Sequence, residues 1–142
     1  MNQEFKPGSL FTKISIATFS LPAIAFLLRP QSALLGIIFL LFALSYLARF
    51  IFNYRKYVMT DNSLQVVDWS GTVKSEIVYS EMANVFLHKS YGQTGGIMKT
   101  DIEKETLVID LIQGGTARFD ISPIDNSDEL VALVKSKWVH EV

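Results

Sequence analysis

The sequence predicts a membrane α-helical hairpin followed by a mainly-β domain that a C-terminal α-helix closes. Three observations support this fold class. Two apolar runs of helical length lie near the N-terminus, the apolar period changes to two after Asn53, and a helical period returns after Pro123. We therefore assign residues 1–53 to a two-helix transmembrane anchor and residues 54–142 to one domain of ordinary size.

Charge differs between these two parts. Residues 1–52 hold four basic residues and one acidic residue, a net charge of +3, whereas residues 53–142 hold nine basic and thirteen acidic residues, a net charge of −4. An acidic domain without basic clusters is a poor nucleic-acid binder, because phosphate contacts need grouped Lys and Arg. The chain has no cysteine, which excludes disulfides, thiol catalysis and cysteine-ligated zinc.

The two membrane helices are predicted at about 10–28 and 33–52. Each run carries one charge, Lys13 or Arg49, close to an end, where a long basic side chain reaches the interface. At 1.5 Å per residue each run covers about 30 Å, the thickness of the hydrocarbon core. The alternative is a hairpin buried in a soluble protein, but the other ninety residues are too few to enclose two helices that are apolar all round.

The segment RPQS (29–32) predicts a tight turn between these helices, because Pro30 ends the first one. Arg49, Arg55 and Lys56 flank the end of the second run, whereas the turn offers one arginine. The positive-inside rule then predicts a multi-pass protein of the cell inner membrane with both termini in the cytoplasm. Small residues are expected at the helix contact, from one of two sets: Ser15, Thr18 and Ser20, or Gly36, Ala43 and Ser45.

A cleaved signal peptide competes with the first membrane helix. Lys6 and Lys13 resemble its charged region, and AIA (23–25) resembles a cleavage site. The long first region and the acidic Glu4 argue against cleavage. Both alternatives leave the domain after Asn53 in the cytoplasm.

The domain begins with segments in which apolar and polar side chains alternate, as they do in half-buried strands. Turn-forming residues separate these segments at TDNS (60–63), SG (70–71) and GG (114–115). Strands are predicted near 54–60, 63–69, 72–79, 84–90, 106–112 and 116–121, with a candidate seventh around 96–101.

A C-terminal helix is predicted after Pro123. Asn126 or Ser127 is placed to cap it, and the acidic residues that follow suit its first turn. Its apolar stripe is predicted to close the open end of the strand layer, with the tryptophan as the largest contact. The stripe consists of Leu130, Val131, Val134 and Trp138.

The segments YVMTDNSLQVVDWSG (57–71) and EIVYSEMANVFLHKS (76–90) resemble bacterial PH-like (pleckstrin-homology-like) membrane proteins. In that family a two-helix transmembrane hairpin often precedes a domain that begins Tyr-x-hydrophobic-Thr-Asp-x-x-Leu. The resemblance covers about residues 10–140. The matching positions are Tyr57, Thr60, Asp61 and Leu64, with a looser match at Met82 and Val85.

This resemblance implies an antiparallel β-barrel or sandwich of about seven strands, closed by the C-terminal α-helix. The chain departs from the family in the first hairpin, where Asn62 and Ser63 stand in place of the arginine that relatives commonly carry. Phosphoinositide binding through basic residues of that hairpin is therefore not implied.

The sequence contains few candidates for catalysis. His88 and His140 are its only histidines, and a single strand histidine is more often structural or exposed than catalytic. Asp101, Glu103 and Glu105 alternate along one predicted edge, where such carboxylates usually meet solvent and, as the alternative, hold a cation. No nucleophile elbow or phosphate-binding loop occurs. We therefore predict a non-enzymatic protein without a metal or cofactor.

The segment HKSYGQTGGIMKT (88–100) has two interpretations. It is a mobile connection between strands, or it is a contact loop whose glycines and lysines approach an anionic group or another chain. The predicted contact residues are Lys89, Tyr91, Gly92, Gly95, Gly96 and Lys99.

These expectations combine into a membrane-anchored PH-like domain that acts as a binding or scaffolding module at the inner membrane face. Its partners would be the lipid bilayer and either further copies of itself or a larger membrane protein, because tethering raises the effective concentration of a weak partner. The alternative is lipid-headgroup or small-ligand sensing through the loop 88–100. The net charge of −4 on the domain argues against general attraction to anionic lipid.

Overall fold

The structure is a computed structural model of the chain and describes residues 2–93 and 101–141. Contacts divide it into two compact units: a helical unit, Gly8–Tyr54, and a β unit made of Met1–Pro7 and Arg55–Val142. The sequence-based division was a single cut after residue 53. The N-terminal residues group instead with the β unit, because they add a strand to its first sheet.

The helical unit consists of two α-helices joined by a short turn. Helix α1 spans Leu10–Leu27 and continues through Pro22, a 3₁₀ turn follows at Pro30–Ser32, and α2 spans Ala33–Asn53. The turn lies where RPQS predicted it, since proline at the first position suits the start of a helix.

The two helices are in close contact at Gly36. A Cβ atom at this position would lie 2.7 Å from Leu27 Cγ and 3.0 Å from the carbonyl oxygen of Ala23, so only glycine permits the observed spacing. Of the small residues that we expected at the contact, Ser15, Gly36 and Ala43 are buried. Aromatic rings extend the contact in the pairs Phe19–Phe42, Phe19–Tyr46 and Phe26–Phe39.

One helix in the described part of the chain is long and apolar enough to cross a membrane. It spans Pro30–Asn53, 24 residues with a mean hydropathy of 2.3. The apolar stretch Thr12–Leu27 of α1 is shorter and, at 1.5 Å per residue, covers about 24 Å of a hydrocarbon core about 30 Å thick. By length and composition α2 alone meets this criterion among the described residues, and the crossing predicted for α1 stays a prediction.

The β unit contains two antiparallel sheets and a C-terminal helix. The first sheet has the order β1-β2-β3-β4 and the second β5-β6-β7. The strands are β1 (Gln3–Phe5), β2 (Lys56–Met59), β3 (Ser63–Val67), β4 (Val73–Val78), β5 (Met82–Gln93), β6 (Asp101–Leu111) and β7 (Thr116–Asp120).

Strand β1 was not predicted from the sequence. It pairs antiparallel with β2, with Gln3 opposite Met59 and Phe5 opposite Tyr57, and the Phe5 side chain is only 4% exposed. The candidate seventh strand around 96–101 falls mostly on residues 94–100, which lie outside the described residues. Three residues are too few for a period to be recognised, so β1 is defined by its partner rather than by its own pattern.

The described strands form two separate sheets rather than a closed barrel. The chain passes from the first sheet to the second through a 3₁₀ turn at Tyr79–Glu81, which turns the backbone away from the β4 ladder. The described strands therefore form a two-sheet arrangement, and the closed-barrel alternative of the prediction is wrong for them.

Helix α3 (Ser127–Glu141) packs on the core of the β unit as its apolar stripe predicted. Leu130 and Val134 are fully buried. The partly buried Trp138 donates its indole N–H to the carbonyl oxygen of Met82 at 3.0 Å. The core between the sheets and this helix includes Phe5, Tyr57, Leu64, Tyr79, Leu107, Ile109 and Ile121.

Candidate functional site

The predicted contact loop is, over its first half, a regular strand. Strands β5 and β6 pair continuously out to Gln93 opposite Asp101, whereas β7 covers β6 only from Thr106 to Asp110. The outer part of the β5–β6 hairpin is therefore a two-stranded ribbon. Gly92 is one of its paired positions, and the predicted contact residues Gly95, Gly96 and Lys99 lie outside the described residues.

Lys89 is held by two carboxylates of the neighbouring strand. Its Nζ lies 2.7 Å from Glu105 Oε1 and 3.4 Å from Glu103 Oε1. Hydrogen bonds to Glu105 first, and then to Glu103, raise the pKa of Lys89 above 10.5. The ammonium charge is thus balanced within the ribbon, which argues against Lys89 as a free ligand for an anion.

Tyr91 remains a contact candidate. Its side chain is 75% exposed, and its hydroxyl donates to Glu103 Oε1 at 3.3 Å. The ring therefore stands outside the core with its hydroxyl oriented by the neighbouring strand.

Glu103 and Glu105 of the ribbon are both bonded to protein donors. Glu105 accepts from Lys89 and from the Ser127 hydroxyl at 2.9 Å, and these bonds lower its pKa. Among the described residues no group of three or more His, Asp or Glu side chains is placed to hold a metal ion. The arrangement fits a charge-balanced ribbon.

A shallow depression of about 390 Å³ lies on the face of the second sheet. The register brings its lining residues together from three strands. One row across the sheet is Phe86–Val108–Arg118, the next is His88–Thr106–Asp120, and Lys104 follows on β6. His88, which the sequence placed at a strand end, is therefore part of a larger surface.

The floor of this depression is apolar and its rim is charged. Val108 is 4% exposed although it alternates with the core residues Leu107 and Ile109 and so points to the opposite face. Its cross-strand neighbours are Phe86, which is 40% exposed, and the exposed Arg118.

The two basic residues of the rim, Lys104 and Arg118, differ in their ion pairing. Lys104 Nζ lies 3.4 Å from Asp120 Oδ2. Arg118 forms no ion pair or side-chain hydrogen bond with any residue in the ranges 2–93 and 101–141. A guanidinium beside an apolar floor suits a ligand that carries an anionic group next to an apolar one.

Sequence reasoning missed this surface because its residues come from three strands. The available signal was the period of two: Phe86 and His88, then Lys104, Thr106 and Val108, then Arg118 and Asp120 occupy alternate positions. The alternation assigned Arg118 and Asp120 to a solvent face. Which residues lie beside them on that face depends on the strand register, and the alternating pattern does not determine that register.

The chain was also compared with known proteins. No protein-family model, no curated protein and no solved structure matches it.

Proposed function

We propose that this chain is a non-enzymatic, membrane-anchored binding module whose β unit acts at the cytoplasmic face of the cell inner membrane. It would serve as a scaffold, through self-association or beside a larger membrane protein. The observation that carries the proposal is the pairing of β1, which precedes α1, with β2, which follows α2.

This pairing supports an even number of membrane crossings between the two strands. Ladder hydrogen bonds join strands about 4.8 Å apart, so strands on opposite sides of a hydrocarbon core about 30 Å thick cannot pair. If α2 crosses the membrane, α1 must cross it back. A single crossing would leave Gln3 and Met59, which are opposite each other in the ladder, in different compartments.

The surface of the helical unit supports contact with lipid. Large apolar side chains are exposed along both helices. Of the most apolar stretch within Pro30–Asn53, only 11% is buried. The shorter apolar stretch of α1 is compatible with a crossing, because local bilayer thinning and an extended Lys13 accommodate a helix a few ångströms short. The exposed residues include Leu10, Ile14, Leu21, Ile24, Leu34, Leu41, Phe42 and Leu44.

The buried position of Phe5 supports retention of the N-terminus. Signal-peptide cleavage near residues 23–25 would remove β1 and take a core side chain out of the β unit.

The orientation of the anchor in the membrane is inferred from Arg49, Arg55 and Lys56, which the positive-inside rule places on the cytoplasmic side. Both termini would then be cytoplasmic.

The arrangement of the β unit is compatible with the family resemblance. Two antiparallel sheets of four and three strands, followed by one C-terminal helix, are what a PH-like domain of about seven strands would contain. We propose this family on that basis, together with the matching residues Tyr57, Thr60, Asp61 and Leu64.

The depression on the second sheet is the proposed binding surface. It offers Arg118, which forms no ion pair with another described residue, beside the apolar Phe86 and Val108, so the partner segment would carry an acidic side chain next to an apolar one. Ligand sensing through residues 88–100 has less support, because Lys89 is balanced by Glu103 and Glu105.

A disulfide experiment tests the anchor. Glu4 and Val58 are opposite each other, and paired residues in an antiparallel ladder have Cα atoms about 4.5–5.5 Å apart, within disulfide range. Because the chain has no cysteine, the double variant Glu4→Cys/Val58→Cys should form one clean bond in oxidised native membranes. A protease site inserted in the turn 29–32 would then give two fragments that separate only after reduction.

The matched control is Glu4→Cys/Glu76→Cys. Glu76 lies in the same row but two strands beyond Val58, at about 14 Å from Glu4, so this pair should stay unlinked. Separation of the Glu4→Cys/Val58→Cys fragments without reduction would contradict the pairing and the two-crossing anchor. A reporter fused after Val142 should be active only in the cytoplasm.

Photocross-linking tests the binding surface. A benzoylphenylalanine at Phe86 should give cross-linked products in living cells, and Arg118→Glu should abolish them, because the charge reversal repels the acidic partner. The control position is Val78, an exposed residue of the first sheet. Equal products at both positions, or products that survive Arg118→Glu, would contradict this surface.

A further inference from the structure

Trp69 is more exposed than Trp138, and it does not belong to the hydrophobic core of the β unit. Its side chain is 61% exposed and lies in the turn between β3 and β4. The second tryptophan, Trp138, is partly buried and hydrogen-bonded. Leaving a large indole in water forgoes a substantial hydrophobic stabilisation, which makes Trp69 a candidate for a contact outside the β unit.

The turn that carries Trp69 is held in one conformation. Asp68 Oδ1 accepts from the backbone nitrogens of Ser70 and Thr72 at 2.9 and 3.0 Å and from the Ser70 hydroxyl at 2.6 Å. Lys74 Nζ lies 3.2 Å from Asp68 Oδ2, and Gly71 has a φ of 87°, which favours glycine. These contacts fix the backbone of the turn, and Trp69 does not belong to the core cluster of the β unit, so its indole is exposed on a rigid turn.

The strand register places this turn at the end of the first sheet from which the chain runs into the helices. Phe5, the last residue of β1, is opposite Tyr57, and Lys56, the first residue of β2, is opposite Val67. Trp69 follows Val67 by two residues. Tyr54 and Arg55 alone separate Lys56 from the end of α2, so a short covalent link joins this end of the sheet to the helix that we propose to lie in the bilayer.

We propose that the Trp69 turn docks into the lipid interface and holds the β unit against the cytoplasmic surface of the bilayer. The proposal rests on the membrane anchor proposed above. An indole suits this environment because its rings enter the apolar side of the interface while its N–H stays with the headgroups. The hydroxyls of Ser70 and Thr72 and the ammonium of Lys74 are compatible with a headgroup layer.

Fluorescence of the full chain in phosphatidylcholine vesicles tests the docking. Subtracting the emission of Trp69→Phe from that of the wild type isolates the Trp69 signal, and Trp138 serves as the internal reference. Vesicles of lipids brominated just below the headgroup quench tryptophans at the interface, whereas aqueous iodide quenches those in water. The Trp69 signal should lose most of its intensity in brominated vesicles and resist iodide.

The matched control moves the indole to the other end of the same sheet. Asn62 lies in the turn between β2 and β3 and is exposed, so Asn62→Trp in the Trp69→Phe background should be quenched by iodide and insensitive to bromine. If the two positions respond alike, the turn does not dock selectively and the proposal is overturned.

The remaining outcomes separate the two proposals. Vesicle flotation after detergent removal reports the anchor, and a chain that fails to float would refute both. A chain that floats while Trp69 is quenched by iodide and not by bromine refutes the docking alone. A Trp69 signal protected from both quenchers would indicate contact with a second copy of the chain, and it also overturns docking to lipid.

Discussion

The burial of Phe5 leads to a quantitative prediction for β1. Phe5→Ala should destabilise the β unit strongly, because the ring is 4% exposed and belongs to the same core cluster as Tyr57 and Leu64. An aromatic side chain buries about 150–250 Å², which at about 25 cal/mol per Å² corresponds to about 4–6 kcal/mol. Alanine retains part of this burial, so we expect a loss of about 3–5 kcal/mol in the free energy of unfolding.

The assay is urea unfolding of the full chain in detergent, followed by the emission of Trp138. This indole is hydrogen-bonded to the Met82 carbonyl and packs against the core, so its emission reports the β unit. The Trp69→Phe background removes the second tryptophan. Lys6→Ala is the control, because Lys6 is exposed and such substitutions change stability by about 0.5 kcal/mol or less.

The result that would refute the reasoning is a loss below about 1 kcal/mol for Phe5→Ala, a size typical of a side chain outside the core. The N-terminal segment would then contribute little to the β unit. The pairing of β1 with β2 would lose its energetic basis, and with it the support for an even number of membrane crossings.

Three further predictions concern the helix contact, α3 and the Trp69 turn. Gly36→Ala should separate α1 from α2, because its methyl would lie 2.7 Å from Leu27 Cγ and 2.8 Å from the Leu27 nitrogen; an unchanged yield of cysteine cross-links between the helices would contradict this contact. Trp138→Ala should lower the free energy of unfolding by about 3 kcal/mol, the lower end for a large aromatic residue because the side chain is only partly buried; because this variant lacks the fluorescent probe, urea unfolding is followed by circular dichroism, and an unchanged midpoint would mean that α3 is not docked through this residue. Hydrogen bonds, first from the Ser70 hydroxyl, lower the pKa of Asp68 from 3.8 to about 2, so its stabilising contribution is complete above pH 3.8 and is lost as the pH falls toward 2. Melting temperatures over this range should fall more for the wild type than for Asp68→Asn, and equal slopes would count against the role of this carboxylate.

The elements that the sequence predicted well are those with a local pattern. The alternation in residues 56–59, 63–67, 73–78 and 116–120 located four strands to within a few residues, and the stripe of α3 identified the side chains that it buries. These predictions succeed because period and turn residues are properties of neighbouring positions.

The segment 88–100 shows the limit of a local pattern. Glycines and lysines suggested an open contact loop, yet residues 88–93 are paired with β6 and Lys89 is bound to Glu103 and Glu105. The paired residues lie between eight and eighteen positions apart along the chain. Composition alone does not identify the residue that neutralises a charge such as that of Lys89.

The sequence by itself determined the apolar helical pair, the strand-rich domain and the closing helix, because hydrophobic periodicity depends on neighbouring residues. Only the tertiary structure decided that Gln3–Phe5 joins the first sheet, that Phe86, Val108 and Arg118 share one row, and that Trp69 lies at the sheet end that leads to α1 and α2. The physical reason is strand register. A shift of one residue moves every side chain to the opposite face, and that choice is made by packing between segments that are distant in the chain.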